Sequence, residues 1–134
     1  MDNNRNMNAL LHANYNVALQ WLVAMQHGNK MEQYLINNGY RKIAVYGMNE
    51  IGNCVARELY KSKAVSFLYA IDQGEPKLYL DIDCYSLESA KKKEKPDLII
   101  VALPYDYEKI KDEIEAEMGC LTKSITEIVF EMDY

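Results

Sequence analysis

Residues 41–59 read RKIAVYGMNEIGNCVAREL. The apolar run Ile43-Ala44-Val45-Tyr46 stops at Gly47, and Gly52 follows five residues later. From there an amphipathic segment carries Ile51, Val55, Ala56 and Leu59 on one face. A short strand, a glycine turn and a helix expected to open at Gly52 form the first half of a βαβ unit. The backbone N–H groups of such a turn, at the positive end of a helix, suit a phosphate.

Downstream, residues 64–71 (AVSFLYAI) form a near-continuous apolar run, as expected for a parallel strand buried on both faces. They end at Asp72 and the turn residues Gln73-Gly74-Glu75-Pro76. A short third strand is expected over residues 77–80. A helix is expected over 86–95, with Ser86 as its N-cap and Lys91, Lys92, Lys93 and Lys95 in its last turn. Residues 97–103 (DLIIVAL) read as the fourth strand, 107–118 as a helix capped by Gly119, 121–125 as the last strand, and 126–131 as a closing helical turn. This alternation predicts an α/β doubly wound parallel sheet, with helices on both faces. Right-handed crossovers put the first strand in the middle, in the order 3-2-1-4-5.

Upstream, residues 7–26 and 30–38 have helical spacing, broken at Gly28-Asn29 and again at Gly39. The stripe Leu10, Val17, Trp21 and Met25 is expected to be buried, against the sheet or against a second subunit. The chain therefore divides into a helical arm, residues 1–39, and a sheet domain, residues 40–134. The arm either covers the sheet or forms a homodimer or partner-enzyme contact.

The composition fits one globular core: 134 residues, 49% hydrophobic and 26% charged. A formal net charge of −5 argues against nucleic acid as a partner. Membrane insertion is not expected, since the apolar stretch at residues 18–25 is too short to span a bilayer. Without a basic leader ahead of an apolar run, a cytoplasmic location is expected. Cys54, Cys84 and Cys120 are scattered and form no CxxC pair, so neither a metal site nor a disulfide frame is expected.

In an open parallel sheet, ligands gather beyond the carboxyl ends of the strands, where the strand order reverses. The residues expected there are Gly47, Met48, Asn49, Glu50, Ile51, Gly52, Asp72, Gln73, Leu103 and Pro104. Asp72 follows Gly52 by 72 − 52 = 20 residues, where a carboxylate accepts both ribose hydroxyls and repels a 2′-phosphate. The pattern favours NAD over NADP. A complete G-x-G-x-x-G would need glycine at 49, where this chain has asparagine. Its side-chain amide is expected to project toward the phosphates, so NAD binding is expected to be weak. The opposite reading is a scaffold with an empty site. Tyr105 and Lys109 have the Y-x-x-x-K spacing of a proton-transfer pair, but with 11 tyrosines in the chain coincidence is the simpler reading. No catalytic residue is assigned.

The run WLVAMQHGNKMEQYLINNGYRKIAVYGMNEIGNCVARELYKS, the strand ending in Ile71-Asp72, the DLIIVA strand and the final SITEIV resemble a small Rossmann-like module. Modules of that kind accompany bacterial surface-polysaccharide and glycosyltransferase genes. The same segments are similar to the NAD(P)-binding domains of nucleotide-sugar epimerases and dehydratases. This resemblance implies a nucleotide or nucleotide-sugar ligand, without the substrate domain of the complete epimerases. Any enzymatic role would be that of an oxidoreductase or nucleotide-sugar-modifying enzyme acting with a partner. The alternative is a non-catalytic interaction domain with a vestigial site.

Overall fold

The computed structural model describes residues 2–132. Two helices, α1 (Asp2–Gln26) and α2 (Met31–Asn37), precede the first strand, β1 (Lys42–Tyr46). Then come α3 (Glu50–Tyr60), β2 (Ser66–Ile71), β3 (Cys84–Tyr85) and α4 (Leu87–Ala90). The chain continues through β4 (Leu98–Val101), α5 (Tyr107–Met118), β5 (Leu121–Ser124) and α6 (Ile125–Glu131). The strands form one all-parallel sheet in the order β3-β2-β1-β4-β5, with β1 at its centre, as expected.

Buried on both faces, β1 and β4 read as unbroken apolar runs and divide their side chains between two layers. Ile43, Val45, Leu98 and Ile100 pack with α3, α6 and the N-terminal helices. Ala44, Tyr46, Ile99 and Val101 pack with Leu87 and Ala90 of α4 and Ile114 and Met118 of α5. The chain steps from β1 to β2 in one direction and from β4 to β5 in the other. Right-handed crossovers therefore put α3 and α5 on opposite faces.

Helix α1 lies across α6, and Val17, Trp21 and Ala24 join the same apolar cluster as Met31 and Leu35 of α2. The stripe expected to be buried is only partly so: Val17 and Trp21 are in the core, Leu10 is half-buried and Met25 is exposed. Successive i+4 steps drift about 40° around a helix, so the inward face passes from Trp21 to Ala24 rather than to Met25.

Residues 77–80 are not a strand. Their backbone is held by a side chain of α3, described below, and β3 falls instead at Cys84–Tyr85, opposite Ala70 and Ile71. The helix expected over 86–95 keeps its Ser86 cap, with the hydroxyl accepting from the Ser89 N–H at 3.2 Å, but ends at Ala90. Two of the lysines beyond it are held individually: Lys91 pairs with Glu117 at 3.3 Å, and Lys93 lies 4.8 Å from the Tyr85 ring centre. Helix α5 runs as expected, and Gly119 closes it with a φ of 64°.

Two polar ties brace the sheet, one at the start of β1 and β4 and one beside β5. Asp97 accepts the N–H groups of Lys42 and Arg41, both at 2.9 Å, and these bonds hold its carboxyl below the usual range. Tyr34 of α2 hydrogen-bonds Glu131 of α6, and the Lys123 ammonium of β5 donates to Tyr34 at 2.8 Å and pairs with Glu131 at 3.0 Å. Burial, reinforced by the bond to Glu131, pushes the Tyr34 phenol up to about 12.

Candidate functional site

At the carboxyl end of β1 the chain turns at Gly47, whose φ of 92° is open to glycine at no steric cost. Its N–H continues the sheet by donating to the Ile71 carbonyl at 2.9 Å. Leu103 lies directly over it, its Cγ 2.9 Å from where a Cβ on Gly47 would stand. At Gly52 a Cβ would meet the Gly47 carbonyl oxygen at 2.0 Å. Gly47 is thus demanded by its backbone conformation and by Leu103, and Gly52 by the packing of α3 on the β1 turn, whether or not a ligand binds.

Helix α3 begins at Glu50, two residues ahead of Gly52, because Asn49 is its N-cap. The backbone of Asn49 is extended, with φ −78°, so no left-handed geometry is needed. Its Oδ1 accepts the Gly52 N–H at 2.8 Å and its Nδ2 donates to the Ala102 carbonyl at 3.2 Å. The amide expected to project toward a phosphate is therefore folded onto the first turn of α3, where asparagine is among the best caps.

Asp72 reaches the same turn from β2. One carboxylate oxygen accepts the Met48 N–H at 2.8 Å and the other accepts the Gly74 N–H at 2.9 Å. Two of the turn's donors, at Met48 and Gly52, thus have acceptors inside the protein. Among the described residues, the N–H groups of Asn49, Glu50 and Ile51 have none. Those three sit at the positive end of the helix, where an anion is favoured. The Glu50 side chain is exposed beside them.

Asn53, which the sequence reading passed over, fastens the site from beneath. Only 4% exposed, it donates through Nδ2 to the carbonyls of Met48 at 3.3 Å, Asn49 at 3.0 Å and Lys77 at 3.0 Å. Its Oδ1 accepts the Tyr79 N–H at 3.2 Å. One buried amide therefore joins the β1–α3 turn to the link between β2 and β3 that begins with Asp72. The Tyr79 ring continues the tie outside, with the Arg57 guanidinium 5.0 Å from its centre. Asn53 stands off the apolar stripe of α3, three residues before Ala56, so periodicity alone does not single it out.

The other expected site residues split between two grooves. Gln73 lies near Tyr46, whose phenol is pushed up by burial and drawn back partway by the Gln73 side chain. It also opens a groove of about 440 Å³ toward α4 and α5, lined by Ser86, Glu88, Lys91, Glu113 and Glu117. Pro104 lines a separate groove of about 360 Å³ against α1 and α6, with Val17, Thr126 and Phe130. The structure thus brings residues 47–52, Asp72, Gln73 and Leu103 together and sets Pro104 apart from the turn.

Tyr105 is exposed in the loop before α5, and no hydrogen bond joins it to Lys109 among the described residues. The thiol of Cys84 is pushed up by burial and by the charge of Asp72, which disfavours a thiolate. Among the described residues no group of three His, Cys, Asp or Glu side chains is arranged to hold a metal ion, and no helix is long and apolar enough to cross a membrane. No protein-family model matches the chain, and no curated protein matches it in sequence.

Proposed function

We propose that the protein is a binding module for a nucleotide or nucleotide sugar, with NAD(H) as a weak ligand, and performs no chemistry alone. The observation that carries this reading is the meeting of Asp72 with the Gly47–Gly52 turn at the point where the strand order reverses. Both oxygens of Asp72 are steadied by backbone N–H groups, and each keeps a lone pair for a ribose hydroxyl. A phosphate would take the N–H groups of Asn49, Glu50 and Ile51, displaced from the glycine turn because Asn49 caps Gly52. The groove beyond Gln73 holds Glu88, Glu113 and Glu117 against Lys91, a lining suited to hydroxyls and hostile to a second phosphate. A setting in bacterial polysaccharide synthesis rests on the sequence resemblance alone.

A second reading is favoured by the same bonds: a vestigial site on an interaction domain, with Asp72 and Asn49 standing where a ligand's phosphate once did. Calorimetry with AMP, NAD, NADP and a UDP-sugar separates the two. The binding reading expects NAD affinity in the micromolar range or weaker, and weaker still for NADP. A ligand at about 100 times its Kd should also raise stability by about 2.7 kcal/mol. No heat and no thermal shift from any of the four would leave only the scaffold reading.

A further inference from the structure

Helix α1 has two apolar seams, and the structure uses one. The inner seam, Val17, Trp21 and Ala24, is buried against α6 and the core. The outer side presents Met7, Leu11, Tyr15, Leu19, Leu22 and Met25, each between 44% and 61% exposed. Within it Leu11, Tyr15, Ala18, Leu22 and Met25 are spaced four, three, four and three residues apart. That is the interval of a coiled-coil seam rather than of scattered surface residues.

We propose that this outer seam is a self-association surface, on which α1 of a second copy of this chain packs antiparallel across a two-fold axis. The proposal is independent of any nucleotide. Three observations identify the occupant as a second copy.

The first is charge. Residues 6–29 contain no Asp, Glu, Lys or Arg in a chain that is 26% charged. Loss of charge with enrichment in Met and Tyr is the composition of an interface centre. It also lets two chains of net charge −5 meet without like charges facing one another. A helix lying on a lipid surface would instead carry Lys and Arg on its polar side.

The second is order along the helix. Read backwards, the seam nearly repeats itself: Met25, Leu22 and Leu19 against Met7, Leu11 and Tyr15. An antiparallel pair centred near residues 16–17 sets Met opposite Met, Leu opposite Leu and Tyr opposite Leu, which is the self-complementarity of a two-fold contact.

The third is area and support. At roughly 200 Å² for a large side chain, these exposures offer about 600 Å² per copy and about 1,200 Å² per pair, the lower bound for a specific interface. From residue 7 to residue 16, α1 has no fully buried residue. A helical stretch of that length with only partial burial at Leu10, Ala13 and Asn14 is marginal in water, and a second copy supplies further packing.

The test is sedimentation velocity of the full chain from about 1 to 200 µM, which reaches the weak associations found among interfaces of the smallest class. It is run beside Leu11→Lys, Leu22→Glu and the two combined, with far-UV circular dichroism on each. The native chain should sediment at twice 15.5 kDa at the upper concentrations. Each single variant should remain folded and fall to one chain. The combined variant should recover the dimer, because the antiparallel register sets Lys against Glu at both ends. A native chain that stays monomeric throughout overturns the proposal, whether or not it sediments with phosphatidylcholine–phosphatidylglycerol vesicles. So do single variants as dimeric as the parent, or a combined variant that stays monomeric.

Discussion

Replacing Gly52 with alanine sets two effects of opposite sign against each other. Alanine in place of glycine in a helix ordinarily stabilises it, here near the start of α3, by about 0.5–1 kcal/mol. Against that, the new methyl would stand 2.0 Å from the Gly47 carbonyl oxygen. Relief requires the β1–α3 turn to open by about 1 Å, since ordinary contacts of this kind begin above 3 Å. Opening strains the bonds that close the turn: Met48 to Asp72, Asn53 to the Met48 carbonyl, and Gly47 to Ile71. At about 1 kcal/mol each, their weakening costs about 3 kcal/mol, which exceeds the helix gain. The expected net loss is about 2–2.5 kcal/mol, read as a lower urea midpoint and a Tm reduced by about 8 °C. Gly74→Ala is the control: its Cβ would meet nothing nearer than Asp72 Oδ1 at 3.6 Å, and its stability should match the parent within about 0.5 kcal/mol. A Gly52→Ala protein as stable as the parent would refute the close packing of α3 on β1.

Asn53→Ala should lose about 2 kcal/mol in urea unfolding, toward the low end for severed buried bonds because water can reach Lys77 and Tyr79. Amide exchange at Tyr79 should quicken, and unaltered protection there would count against the tie. Asn49→Gly should cost only a few tenths of a kcal/mol, since glycine also caps, while freeing the Gly52 N–H to strengthen NAD binding in calorimetry. Weaker binding by that variant would make the amide a ligand contact. Asp97 and Glu131 have carboxyls depressed by folding, so the stability they contribute is present above the unfolded range near about 4 and is lost as pH falls through their folded values. Asp97→Asn should therefore flatten the acid limb of stability against pH. An unchanged slope would dismiss the Asp97 clasp.

The sheet was legible because β1 and β4 are buried on both faces, which writes them as unbroken apolar runs next to Gly47 and Pro104. Right-handed crossovers then leave few alternatives for strand order. The third strand was not legible at its true place. The link from Asp72 to Asp83 has no periodicity of its own, and its path is set by Asn53, 24 residues before Lys77. At the candidate site, the meeting of Asp72 with the turn follows from topology. The orientation of Asn49 does not, since the same asparagine can cap its own helix or face a ligand, and its hydrogen bond to the distant Ala102 carbonyl helps decide. In α1, two interleaved seams blurred one another, so that Met25 read as inward while Ala24 takes that role.

The central claim, that a nucleotide binds where Asp72 meets the β1–α3 turn, is tested most directly by an amide nitrogen–proton correlation spectrum of labelled protein titrated with NAD. The account predicts saturable shifts at Asn49, Glu50 and Ile51 and at Gln73 and Gly74, sharply reduced in Asp72→Asn. Shifts confined to the groove around Val17, Pro104 and Phe130, or a spectrum unmoved at millimolar NAD, would contradict it.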